Sequence, residues 1–130
     1  MSDDINWELI KVLVVDDDKT TRKTLEKFFQ KIGCIGAYVN NGKEAIEIIK
    51  KYNFDLCFMD LFMPEMGGVE ATQIIRDEVD AVLPIVALTS SSMKADKDKC
   101  VDIGMQDYMN KPVSMAQIKE IVATYGVRQK

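Results

Sequence analysis

The sequence predicts an α/β protein, a doubly wound (βα)5 three-layer sandwich on a five-stranded parallel sheet. Two observations carry that prediction. Apolar runs of five to seven residues alternate along the chain with segments whose apolar residues recur at helical spacing. The runs are mostly continuous instead of alternating with polar residues, which suits strands covered on both faces.

The strand runs, in order, are "KVLVV" (11–15), "IGAYV" (35–39), "FDLCFMD" (54–60), "LPIVALT" (83–89) and "MQDYMN" (105–110). Between them, Leu25, Phe28, Phe29 and Ile32 mark a first helix, and Ala45, Ile46, Ile48 and Ile49 a second. Ala71, Ile74 and Ile75 mark a third, and Ile118, Ile121 and Val122 the last. Punctuation agrees with these limits. Asn40-Asn41-Gly42 turns the chain before the second helix, and Gly104 ends the fourth. Ser114 is placed to cap the fifth, and Pro84 stands at a strand start, where its missing N–H matters least.

Composition narrows the function. The 130 residues make one domain able to bury a core, and 47% hydrophobic with 29% charged residues describes a soluble globular chain. A net charge of -4 argues against a nucleic-acid surface. No apolar stretch approaches the ~20 residues of a membrane span, and "MSDDINWELI" does not read as a signal peptide. Cys34, Cys57 and Cys100 are widely spaced and without C-x-x-C, so reduced thiols and a reducing, cytoplasmic compartment are expected. The count of histidines is 0, which removes Ser-His-Asp and Cys-His systems and histidine zinc sites. If phosphohistidine chemistry is involved, the histidine belongs to a partner.

In a doubly wound fold ligands gather at the carboxyl ends of the strands. Strand one ends in Asp16 and Asp17, strand three in Asp60, strand four in Thr89 followed by Ser90 and Ser91, and strand five leads to Lys111-Pro112. Three carboxylates, a hydroxyl and an ammonium therefore converge on one rim. Clustered carboxylates raise one another's pKa unless a cation neutralises them. Oxygen-only ligands of this kind suit Mg²⁺, with Mn²⁺ an alternative. Lys111 and Thr89 can hold phosphoryl oxygens while a carboxylate attacks in line.

Which aspartate attacks has two readings. "DDDKT" contains D-x-D-x-T, which resembles a haloacid-dehalogenase-type phosphotransferase with Asp16 as nucleophile and Asp18 as acid. That family closes its metal site with acids after the lysine, and beyond Lys111 the only acid is Glu120, inside a helix. The other resemblance covers about residues 10–125. "KVLVVDDD", "FMDLFMPEMGG", "IVALTSS" and "DYMNKP", in this order, resemble a response-regulator receiver domain, with residues 1–9 an N-terminal extension and 126–130 a C-terminal tail.

That second resemblance implies the flavodoxin-like strand order 2-1-3-4-5. It implies Asp60 as phosphoacceptor, and Asp16, Asp17, Asp60 and the backbone carbonyl of Phe62 as the Mg²⁺ site, with Asp16 acting largely through water. It makes Thr89 and Lys111 phosphoryl contacts, Lys111-Pro112 a cis peptide, and Thr89 with Tyr108 a switch. Asp18 becomes a residue at the start of the first helix, where the dipole favours negative charge. Partners implied are a histidine kinase or a histidine phosphotransfer protein, with a homodimer through the fourth helix, fifth strand and fifth helix. The chemistry is self-phosphorylation and dephosphorylation, not turnover.

Within the reading, a relay intermediate and an output switch stay open, and "ALTSSSMKADKDKCVDIGMQDYMNKPVS" resembles receivers of hybrid histidine kinases. Whether the chain stands alone or is cut from something longer also stays open. Two local departures stand out. Gly67-Gly68 replaces an acidic or amide residue plus Gly, which predicts a more mobile loop, and Phe62 is a bulky apolar residue two positions after the phosphoacceptor. Of the eight methionines most read as packing, with Met93 and Met115 available to a partner surface.

Overall fold

The computed structural model describes residues 5–90 and 94–127. Met1, Ser91 and Met93 therefore lie outside the described residues. After a short 3-10 turn, Trp7–Leu9, the chain runs β1 (Lys11–Val15), α1 (Lys19–Ile32), β2 (Ile35–Val39) and α2 (Gly42–Lys51). It continues with β3 (Leu56–Asp60) and α3 (Gly68–Ile74), which ends in a π-helical turn, Ile75–Val79. Then come β4 (Ile85–Thr89), α4 (Lys94–Asp102), β5 (Asp107–Asn110) and α5 (Met115–Tyr125). All neighbouring strands are parallel, in the order β2-β1-β3-β4-β5.

The continuous apolar runs divide by alternation. Leu13, Val15, Cys57, Met59, Ile85 and Ala87 face α2, α3 and Cys100 of α4. Val12, Val14, Leu56, Phe58, Val86 and Leu88 face Leu25 and Phe29 of α1 and Ile118 and Val122 of α5. Every residue of β3 and β4 is buried, which accounts for the lack of polar residues in these strands before the terminal Asp60 and Thr89.

The last three strands begin two residues later than the runs suggested. The Asp55 N–H donates to Lys11 O before β3 begins, and Pro84, having no N–H, offers its carbonyl to Cys57 N instead. Met105 closes the turn that follows α4. Its N–H reaches Cys100 O at 2.9 Å while that of left-handed Gly104 (φ 92°) reaches Val101 O at 3.1 Å, a Schellman closure. Asn41 caps α2 by accepting from Glu44 N at 2.9 Å, and Ser114 forms a full capping box with Gln117. No helix among the described residues is long and apolar enough to cross a membrane. All three cysteines are free thiols.

Candidate functional site

Parallel strands bring their carboxyl ends to one edge, and the charged residues at the ends of β1, β3 and β5 meet there. Asp16 follows the last residue of β1 and is tied down on three sides. Its N–H donates to Val39 O at 3.2 Å, its carbonyl accepts from Arg22 Nη1 at 2.7 Å, and its Oδ1 accepts from Asp18 N at 2.9 Å. Its side chain is fully buried. Asp60, the last residue of β3, is also buried, and its Oδ1 accepts from Phe62 N at 3.3 Å. Asp17 is exposed, and one oxygen each of Asp16, Asp17 and Asp60 lie within 4.8 Å of one another.

Lys111 is the counter-charge. Its Nζ is 2.8 Å from Asp16 Oδ2 and 3.5 Å from Asp60 Oδ2. The cis Lys111-Pro112 bond and the donation of Lys111 N to Thr89 O at 2.8 Å fix where this side chain leaves the backbone. Buried Thr89 ends β4, and half-buried Tyr108 lies on β5 beside Ala87 of β4.

The electrostatics follow from this crowding. Burial, and then the neighbouring Asp16 charge, push the Asp60 carboxyl up to about 7 against the opposing pull of Lys111. Burial works against the Lys111 ammonium, but the hydrogen bond and charge of Asp16 and the charge of Asp60 outweigh it, so its pKa rises. Asp16 Oδ2 is buried, with the Lys111 ammonium at 2.8 Å. A buried carboxylate facing two further carboxylates is a donor set suited to a hard divalent cation.

Asp18 is committed elsewhere. It caps α1, accepting from Thr20 N at 2.9 Å and from the Thr21 hydroxyl at 3.1 Å, and the Thr20 N–H above all holds its carboxyl below the usual range. A carboxylate stabilised as the anion is a poor general acid, so D-x-D-x-T chemistry with Asp16 as nucleophile lacks its proton donor. Arg22 was not singled out from the sequence; its only signal is a cation one turn into the helix after an acidic loop.

The loop after β3 closes on the strand end. Met66 N donates to Pro64 O at 2.8 Å around Glu65, which takes φ 66°, and Gly68 N donates to Leu61 O at 2.9 Å. A Cβ on Gly68 would overlap the carbonyl oxygen of Asp60, and one on Gly67 would sit 2.9 Å from Leu61 O. Close approach, which the sequence reading did not anticipate, is thus a reason for this glycine pair. The Phe62 side chain is 60% exposed at the rim.

With this geometry in view, the comparisons with known proteins agree with one another. The family described as response regulator receiver domain matches residues 12–123. Hybrid signal transduction histidine kinase L of Dictyostelium discoideum is 39% identical over 123 residues, covering 89% of this chain and 7% of that protein. The chain thus spans only a small part of the curated relatives it matches. Among solved structures, the co-crystal of the Saccharomyces cerevisiae histidine phosphotransfer signaling protein Ypd1 with the receiver domain of the response regulator Ssk1 superposes with TM-score 0.83. It is 34% identical, over 90% of this chain and 88% of that one. The receiver domain of sensor histidine kinase PA1611 from Pseudomonas aeruginosa, with magnesium in its active-site cleft, gives TM-score 0.82 and 28% identity over 89% and 96% of the two chains. None of these findings supports the haloacid-dehalogenase reading.

Proposed function

The chain belongs to the response regulator receiver domain family, and from that premise we propose that Asp60 is the phosphoacceptor of a phosphorelay step fed by a partner phosphohistidine. The observation that carries this reading is the placement of Lys111 between buried Asp16 and buried Asp60, with Asp17 alongside. Asp16, Asp17, Asp60 and the Phe62 carbonyl would hold Mg²⁺, or Mn²⁺ in its place. The ion, when bound, neutralises the carboxylates and the oxygens of the transferring phosphoryl group.

The chain's own residues do the rest. An Asp60 oxygen attacks phosphorus in line, so that a P–O bond forms as the P–N bond to the partner imidazole breaks and an aspartyl phosphate results. Lys111 exchanges its hold on Asp60 for a phosphoryl oxygen, and the Thr89 hydroxyl takes another. Asp16, anchored by Val39, Asp18 and Arg22, keeps the acidic wall from moving as charge changes. Thr89 and Tyr108 then form the switch that carries the state of Asp60 to the surface of α4, β5 and α5, where a homodimer or another partner reads it. The Ypd1-bound structural relative favours relay to or from a histidine phosphotransfer protein over a purely local output.

The test is incubation with Mg²⁺ and acetyl phosphate followed by intact mass. One phosphoryl group gained by the wild type, dependent on the metal and lost in Asp60→Asn, is the expected result. Label that persists in Asp60→Asn and disappears in Asp16→Asn would overturn the assignment, as would no label at all.

A further inference from the structure

Helix α4 buries little of its described surface. Of its described side chains only Cys100 is buried, and Val101 is 68% exposed. Its Lys94–Asp98 ion pair, at 3.9 Å, runs along the helix and is exposed, so it does not join helix to sheet. The carboxyl end is pinned from below: the Gly104 carbonyl accepts from Arg76 Nε at 3.1 Å and Nη2 at 2.8 Å. Nearer the functional end, the Lys97 ammonium lies 4.5 Å from the centroid of the Tyr108 ring. Both residues are half-buried.

We propose that Lys97 is a positioning residue for the switch: its ammonium, stacked on the Tyr108 ring, restrains that ring and so sets how readily Asp60 holds a phosphoryl group. The inference rests on the reading of Asp60 as acceptor and of Thr89 with Tyr108 as the coupled pair. A ring that turns inward toward Thr89 moves away from Lys97, so the cation–π attraction exists in one state and not in the other. Only such differential contacts shift a two-state equilibrium. At a partly exposed site the contact is strong enough to change the ratio of states about two- to five-fold. The geometry gives α4 a hold at the Gly104 end from Arg76 and another nearer the site from Lys97, and release of the second loosens that part of the helix.

The test uses beryllium fluoride with Mg²⁺, which mimics a phosphoryl group on a carboxylate and needs no partner protein. Binding is followed by fluorine NMR for the wild type, Lys97→Met, Lys97→Arg, Tyr108→Leu and Lys97→Met/Tyr108→Leu. Lys97→Met, which keeps the apolar stem and removes the charge, is expected to tighten binding about two- to five-fold. Lys97→Arg restores wild-type affinity, and Lys97→Met has no further effect once Tyr108 is Leu. In the ligand-free protein the Lys97 ε-methylene protons carry an upfield ring-current shift that disappears on binding. Equal affinities in all variants, or a Lys97→Met effect that survives in Tyr108→Leu, would overturn the restraint while leaving Asp60 as acceptor. Absence of binding in the wild type would overturn the acceptor reading and the restraint together.

Discussion

The Lys111 ammonium stands nearer to Asp16, at 2.8 Å, than to the Asp60 it is proposed to serve, at 3.5 Å. It therefore acts here as the counter-ion of a fully buried acid. A divalent cation entering the site competes for the same carboxylate oxygens. Lys111→Met in metal-free buffer leaves Asp16 and Asp60 uncompensated, which is expected to lower stability by about 1–3 kcal/mol. The same variant should bind Mg²⁺ at least as tightly as the wild type while losing phosphorylation. Urea unfolding in EDTA, Mg²⁺ titration calorimetry and intact mass check the three parts. Loss of Mg²⁺ binding would show that Lys111 builds the site instead of competing for it.

The raised pKa of Asp60 has a definite sign for pH dependence. The unfolded carboxyl titrates near ~3.9, whereas the folded one sits at about 7. Between those values the native state keeps a proton the unfolded chain has lost. This group's contribution to stability therefore falls as pH rises from about 4 to 7 and levels off above 7. Mg²⁺ needs the anion, so binding below 7 displaces a proton, and apparent affinity should rise up to roughly ten-fold per pH unit until it levels off near 7. Calorimetry in two buffers of different ionisation enthalpy measures the proton released at pH 6, with less expected at pH 8. An affinity flat from pH 5.5 to 8 would contradict the shift.

How much of this was legible in the sequence depends on whether a signal was local. The strand ends at Asp16, Asp60, Thr89 and Lys111 could be placed because continuous apolar runs end abruptly there. Ser114 and Gly104 could be placed because caps and left-handed stops have fixed chemistry. The β2-β1-β3-β4-β5 order came from resemblance, since periodicity says nothing of which strands are neighbours. Arg22 on the Asp16 carbonyl, Arg76 on the Gly104 carbonyl and Lys97 on Tyr108 were out of reach. All three contacts are made by cations that, read along the chain, look like solvated helix faces. The π-helical turn at Ile75–Val79, closed by Asp80 N donating to Ile75 O at 2.7 Å, likewise has no period-based signature.

Gly68 is where fold and chemistry meet most closely. Its missing side chain lets the start of α3 rest on the carbonyl of Asp60, so Gly68→Ala must push the loop away from the acceptor. We expect a loss of about 1–3 kcal/mol and slower phosphorylation from acetyl phosphate. Thermal unfolding and initial rates by intact mass check both. An alanine variant with wild-type stability would mean that the loop yields freely.

The last prediction concerns Phe62, whose backbone N–H binds Asp60 Oδ1 and whose ring is 60% exposed at the mouth of the site. A phosphoryl group on Asp60 projects into the same mouth, and an apolar ring beside it removes one approach for the water that would hydrolyse it. An amide at this position instead offers a donor and an acceptor that can orient water. Phe62→Asn is therefore expected to shorten the aspartyl phosphate lifetime on the order of three-fold or more. Stability should be little changed, because the ring contributes little to the core. The check is the decay of intact-mass signal after acetyl phosphate is removed, with EDTA added in parallel to separate metal-dependent hydrolysis. An unchanged half-life would mean that water reaches the phosphoryl group by a path the ring does not cover.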